Sequence, residues 1–146
     1  MTRAWMPIVL LIAAAYNLVW GAWVVLFPNH FFDLVGMERP SQPAIWQCVG
    51  MIVGVYGVGY ACAALAPLKH WPIVLVGLLG KVAGPIGYVD GAWIKGTLDP
   101  AFGYTIPTND LIWWIPFGLI LWASWKAHRG RSRGWSGAPV RTSVPT

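Results

Sequence analysis

Four long runs of apolar residues, at about 5–27, 44–66, 72–88 and 108–125, alternate with more polar connections along this 146-residue chain. A helix rises 1.5 Å per residue and needs roughly 20 residues to cross a hydrocarbon core of about 30 Å. The first two runs meet that length outright, and the third meets it only with help from polar ends or local thinning of the bilayer. The pattern therefore predicts an all-α protein, an integral membrane four-helix bundle occupying residues 1–128. Residues 129–146 turn to Ser, Gly, Pro and Arg without apolar periodicity, which predicts a disordered basic tail. The connection at 67–71 is so short that the second and third runs must form an antiparallel hairpin. The connection at 89–107 is long enough to fold over one mouth of the bundle.

Small residues add a second period. Gln47, Gly50, Gly54, Gly57 and Ala61 recur at steps of three and four in the second run, and Gly77, Gly80, Gly84 and Gly87 do so in the third. Each set forms a stripe on one helix face. Facing stripes let membrane helices approach closely and gain dispersion contacts, so the expectation is a hairpin sealed by glycine between these two runs. The glycines follow no strand, which removes the phosphate-loop reading.

Lys81 interrupts the third run, in a stretch with no other charge from 72 to 88. An intramembrane charge costs roughly 2.5–3.5 kcal/mol on insertion scales and marks a site or a buried partner. Helix depths place it near Gln47 of the second run and Asn109 and Asp110 at the start of the fourth, with Asn17 of the first run deeper. Asn109 and Asp110 are also good helix-capping residues. Pro85 leaves the carbonyl of Lys81 without its helical donor, and Pro116 does the same to Ile112, so both carbonyls need other partners. Three readings fit the cluster. One is a Lys81–Asp110 ion pair holding helices in register. Another is a site for a small amphiphile such as a quinone, a lipid head group or a hydrophobic metabolite. The third is acid–base or redox catalysis by a desolvated lysine.

Composition supports the membrane reading: 57% of residues are hydrophobic and 10% charged, with eleven tryptophans. The net charge of +5 would suggest nucleic acid, yet Lys126, Arg129, Arg131, Arg133 and Arg141 all lie after the last run. The acids lie in the connections after the first and third runs or at their edge, so the bias is the positive-inside pattern, with both termini cytoplasmic and no nucleic-acid partner. Trp5, Trp71, Trp122 and Trp125 mark one predicted boundary, and Trp46, Trp93, Trp113 and Trp114 the other. Ala13-Ala14-Ala15 after Arg3 resembles a leader cleavage site, but the apolar run continues past it and predicts a retained span. Cys48 and Cys62 sit 14 residues apart on one helix, too far to pair, and read as apolar packing residues. His30, His70 and His128 show no metal or haem spacing, and no cofactor is evident from the residues.

The stretches YNLVWG (16–21), IWQCVGMIVGVYGVGYA (45–61), LVGLLGKVAGPIGYV (75–89) and NDLIWWIPF (109–117) resemble those of a group of small bacterial four-helix membrane proteins. The four-span layout is similar to that of the DoxX-like proteins. That resemblance implies a multi-pass protein of the bacterial inner membrane, in contact with lipid and associated with a membrane redox or oxidative-stress system. It raises quinone as a ligand and a membrane redox enzyme as a partner. Some proteins of the group carry the label alkyl hydroperoxide reductase, which for this chain implies association with such an enzyme, because neither cysteine has a basic neighbour in sequence to activate it. The leading expectation is an accessory or ligand-binding protein. The alternatives are an oxidoreductase acting on quinone or on alkyl or lipid hydroperoxide, and a small exporter.

Overall fold

The computed structural model describes residues 4–134, with side chains described as far as Arg129. All regular structure among them is helical: α1 (Trp5–Leu26), α2 (His30–Val35), α3 (Pro43–Leu65), α4 (Trp71–Tyr88) and α5 (Ile112–Gly134). A π turn at Val89–Ile94 prolongs α4, a 3-10 turn occupies Pro100–Thr105, and a second π turn at Pro107–Leu111 leads into α5. Prolines open α3 and α4 in their first turns, where a missing N–H costs nothing. The short α2 ends at Gly36, whose φ of 72° is left-handed and suits glycine.

Three stretches are long and apolar enough to cross a membrane by length and composition: Trp5–Leu26, Pro43–Leu65 and Trp71–Ile94. The fourth long helix, α5, differs because its apolar part gives way to Lys126 and Arg129 while the helix continues to Gly134. The expected disordered tail therefore begins as helix. The physical reason lies in two pairs one turn apart: Lys126 Nζ sits 3.6 Å from the ring centre of Trp122, and the Arg129 guanidinium 4.3 Å from that of Trp125. Residues 135–146, with most of the expected tail, lie outside the described residues.

Polarity is inverted relative to a water-soluble protein. Asn17, Lys81, Asp110 and Ser124 are buried, whereas Ile12, Val19, Met51, Val55, Val58, Leu79 and Ile115 are exposed. An outside so apolar needs an apolar environment, and the buried polar groups need partners inside.

The seam of small residues joins α3 to α1, not to α4. A Cβ added at Gly21 of α1 would lie 2.5 Å from the carbonyl oxygen of Gly50, and one at Gly57 would lie 3.0 Å from that of Ala14. Residue numbers fall on α1 as they rise on α3, so the two helices are antiparallel with backbones in near contact. The expected glycine-sealed hairpin of the second and third runs is corrected accordingly. There the bulky rings of α3 meet the glycines of α4: Tyr60 packs onto Gly77, and the Tyr56 hydroxyl approaches Gly80. Gly54 and Gly87 would meet nothing within 4 Å of an added Cβ.

At the end of the molecule carrying α2, an aromatic cap closes the helices. Phe31 and Phe32 of α2, Trp46 of α3 and Phe102 of the 3-10 turn stack with ring centres 5.3–5.9 Å apart. The 89–107 connection thus does fold over this end, with Phe102 as its anchor. Arg39 grips Asp33 through two hydrogen bonds of 2.7 and 2.9 Å and ties the following loop back to α2.

Candidate functional site

Proline chemistry creates the site. Pro85 cannot donate to the Lys81 carbonyl, and that oxygen instead accepts from the Trp114 indole N–H of α5 at 3.0 Å. The Lys81 ammonium donates to the Asn109 carbonyl at 2.5 Å and lies 5.7 Å from the ring centre of Trp113. Backbone and side chain of one residue therefore both bind the α5 side, and α4 is laced to the chain entering α5.

Asn109 and Asp110 do not cap a helix. They lie inside the π turn Pro107–Leu111, with helical backbone on both flanks and no side-chain cap. The wide turn presents the Asn109 carbonyl to Lys81 and carries the Asp110 carboxylate over Gly84, where an added Cβ would sit 3.2 Å from Oδ2. Asp110 Oδ1 accepts from the Asn109 side-chain amide at 3.1 Å. Tyr16 of α1 donates to the Thr108 hydroxyl at 3.2 Å and fixes the same turn from the opposite side.

Between these groups lies a chamber of about 130 Å³, walled by Asn17 of α1, Tyr56 and Tyr60 of α3, Lys81 of α4, and Asn109 and Asp110. Lys81 and Asp110 are each 5% exposed, so a cation and an anion share a sheltered space. They make no direct ion pair; among the described residues such contacts join Asp33 to Arg39 and Asp90 to Lys95. Of the three readings of the cluster, the direct Lys81–Asp110 ion pair is not formed; both residues line one cavity instead. Asn17 is 2% exposed, and its Oδ1 is buried without a hydrogen-bond partner, as is Oδ1 of Asn109. An unpartnered buried amide oxygen costs free energy on the order of 1–3 kcal/mol unless a ligand or water supplies a donor.

A second space of about 210 Å³ adjoins the chamber, sharing Val53, Asn109 and Asp110 with it. Its walls include Trp20, Trp46, Tyr88 and Phe102, and the Trp46 indole nitrogen is another buried atom without a partner. Sequence reasoning missed Tyr56, Tyr60 and Trp46 as wall residues; their spacing of one helical turn (56, 60) beside the glycine stripe was the available signal.

Gln47 does not join the cluster. Its amide donates to the Val25 carbonyl at 2.8 Å, closing the last turn of α1 against α3. Of the expected residues, the structure brings together Lys81, Asp110, Asn109 and Asn17, with Gly77 and Gly80 in the same wall. Gly84 abuts Asp110 from the neighbouring space, and Gly50 and Gly57 belong to the α1–α3 seam. Cys48 and Cys62 are exposed on α3 and do not pack in the interior as expected. His70 and His128 each engage a backbone carbonyl, of Cys62 and Ser124. Among the described residues no three His, Cys, Asp or Glu side chains gather as a metal site.

No family model, curated protein or solved structure matches the chain.

Proposed function

We propose that this chain is a four-span bundle of the bacterial inner membrane, with both termini cytoplasmic, that holds the oxygen-bearing head group of a small amphiphile in the Lys81 chamber. The fourth span in this reading is α5 with its preceding π turn. The observation that carries the proposal is the buried, unpartnered Oδ1 of Asn17, a residue that lines the same 130 Å³ space as Lys81 and Asp110. The ammonium has three donors, and the Asn109 carbonyl takes one. A hydroxyl or carbonyl oxygen of a ligand fits the remaining donors, and a ligand O–H fits Asn17. A quinol offers both groups, and the DoxX-like layout favours that class and a role as an accessory to a membrane redox enzyme.

Native mass spectrometry of the protein released from mild detergent tests the reading. A small molecule of defined mass on wild type and absent from a folded Lys81→Met variant is the expected result. Equal spectra for the two would refute it. One observation favours a second role for the same residue: because Lys81 binds α5 through both its ammonium and its carbonyl, it also sets the spacing of α4 and α5. That role predicts a folded-state loss in Lys81→Met irrespective of ligand.

A further inference from the structure

The polar chamber is not the roomiest space described. An apolar groove of about 610 Å³ runs between α3 and α4, lined by Ile52, Val55 and Gly59 on one side and Ile73 and Val76 on the other. It follows α3 from residue 51 to 59, about 12 Å at 1.5 Å per residue. The groove exists because these two helices touch through Tyr60 on Gly77 and not through facing glycines, which leaves the small and branched side chains beyond that contact apart. Tyr56 lines this groove and the polar chamber alike, so one ring forms the partition between them. Beside that ring, Gly80 offers no side chain, and a Cβ there would meet just the Tyr56 hydroxyl, at 3.9 Å.

The sizes of the two spaces limit what fits. Pockets for whole drug-sized ligands run about 300–1,000 Å³. The polar chamber, at about 130 Å³, takes a head group and nothing more, while the groove falls within that range and is almost wholly apolar. Charge limits the head as well: Lys81 and Asp110 offset each other, so an uncharged group that both accepts and donates is matched, and a phosphate is not. The groove has room for one chain, and the 210 Å³ space that also adjoins the chamber falls below that range.

We infer that the ligand is a single-chain amphiphile with an uncharged hydroxyl-bearing head, seated with its head in the Lys81–Asn17 chamber and its chain past Tyr56 along the α3–α4 groove. The inference rests on the head-group reading above and adds the chain subsite. Moving a chain from bilayer to groove gains no hydrophobic free energy, since lipid tails are equally apolar. Its position in the groove is therefore dictated by where the head is held, and that dependence can be measured.

The probe is a hydroquinone ring bearing one decyl chain with a diazirine at mid-chain, photolysed with the full-length protein in phosphatidylcholine nanodiscs. Labelled peptides are mapped by mass spectrometry in wild type, Lys81→Met, Asn17→Leu, Val55→Trp and Val76→Trp. Val55 and Val76 are exposed, so tryptophan at either position fills the groove without entering the core. The expected result is saturable labelling within 51–59 and 72–76, reduced at least fivefold by either groove variant and by Lys81→Met or Asn17→Leu. Saturable labelling that depends on Lys81 but maps elsewhere, or that survives both groove variants, overturns the chain subsite and leaves the head site standing. Groove labelling indifferent to Lys81 and Asn17 overturns the link between the two spaces. Absence of any saturable labelling dependent on the chamber residues overturns the head-group reading and this inference together.

Discussion

Alanine at Gly21 tests the α1–α3 seam most directly, because the obstacle it meets is backbone. Its Cβ would lie 2.5 Å from the Gly50 carbonyl oxygen and 2.9 Å from the Gly54 nitrogen, atoms with no rotamer to change. Restoring an ordinary contact of 3.4 Å requires the helices to part locally by about 0.9 Å. A gap of that size forfeits a quarter to a half of each dispersion contact, and each contact is worth about 0.1–0.2 kcal/mol. Summed along the local seam, Gly21→Ala should destabilise by about 1–2 kcal/mol, within the usual range for overpacking. Gly54→Ala is the internal control: its Cβ meets nothing within 4 Å, and the change should stay within about 0.5 kcal/mol. Gly57→Ala presses on the Ala14 carbonyl at 3.0 Å and on Leu18, and should fall between them. Combined with Gly21→Ala it should cost less than the sum, since parting the helices at one point relieves the other. The assay is SDS titration of the protein in mixed micelles, followed by tryptophan fluorescence. The reasoning fails if Gly21→Ala matches wild type, or if Gly54→Ala is the more harmful of the two.

Trp114→Phe should destabilise by about 1 kcal/mol, because the Lys81 carbonyl loses its donor; in a Pro85→Ala background, which restores a helical N–H, the same change should cost less than half as much in a double-mutant cycle by SDS titration. The Arg39 hydrogen bonds hold the Asp33 carboxyl below its ordinary pKa, so that pair's contribution is fully present above the unfolded carboxylate's pKa and is lost as pH falls through the depressed folded value. Arg39→Gln should move the Asp33 titration upward in carbon-detected NMR, and an unchanged titration would contradict the pairing. Gln47→Leu should cost about 1 kcal/mol by removing the donor to the Val25 carbonyl, yet leave any bound small molecule in place in native mass spectra, whereas Lys81→Met should remove at least nine-tenths of it.

The helices were legible in the sequence because their signal is length and mean polarity, which neighbours do not alter. Helix partners were not, because a stripe of small residues announces close approach without naming what approaches. Two positions decided it: Tyr56 and Tyr60 stand on the side of α3 that meets α4, so the glycine face of α3 had to turn to α1, where Ala14 and Gly21, seven residues apart, form the matching stripe. Gln47 followed from the same choice. It shares the stripe of Gly50 and Gly57, so it points wherever the seam points, and membership in both the seam and the Lys81 cluster was consistent only while α4 was taken as the partner. Asn17 and Lys81 could be found because a polar residue in an apolar run is visible at any register. The placement of Asp110 depended on a π turn, which no spacing of apolar residues encodes. Its backbone lets Asn109 reach Lys81 with its carbonyl while the next residue carries a carboxylate over Gly84. The polar chamber is thus the joint product of one proline that frees a carbonyl, one wide turn that delivers two polar groups, and one glycine that makes room for them.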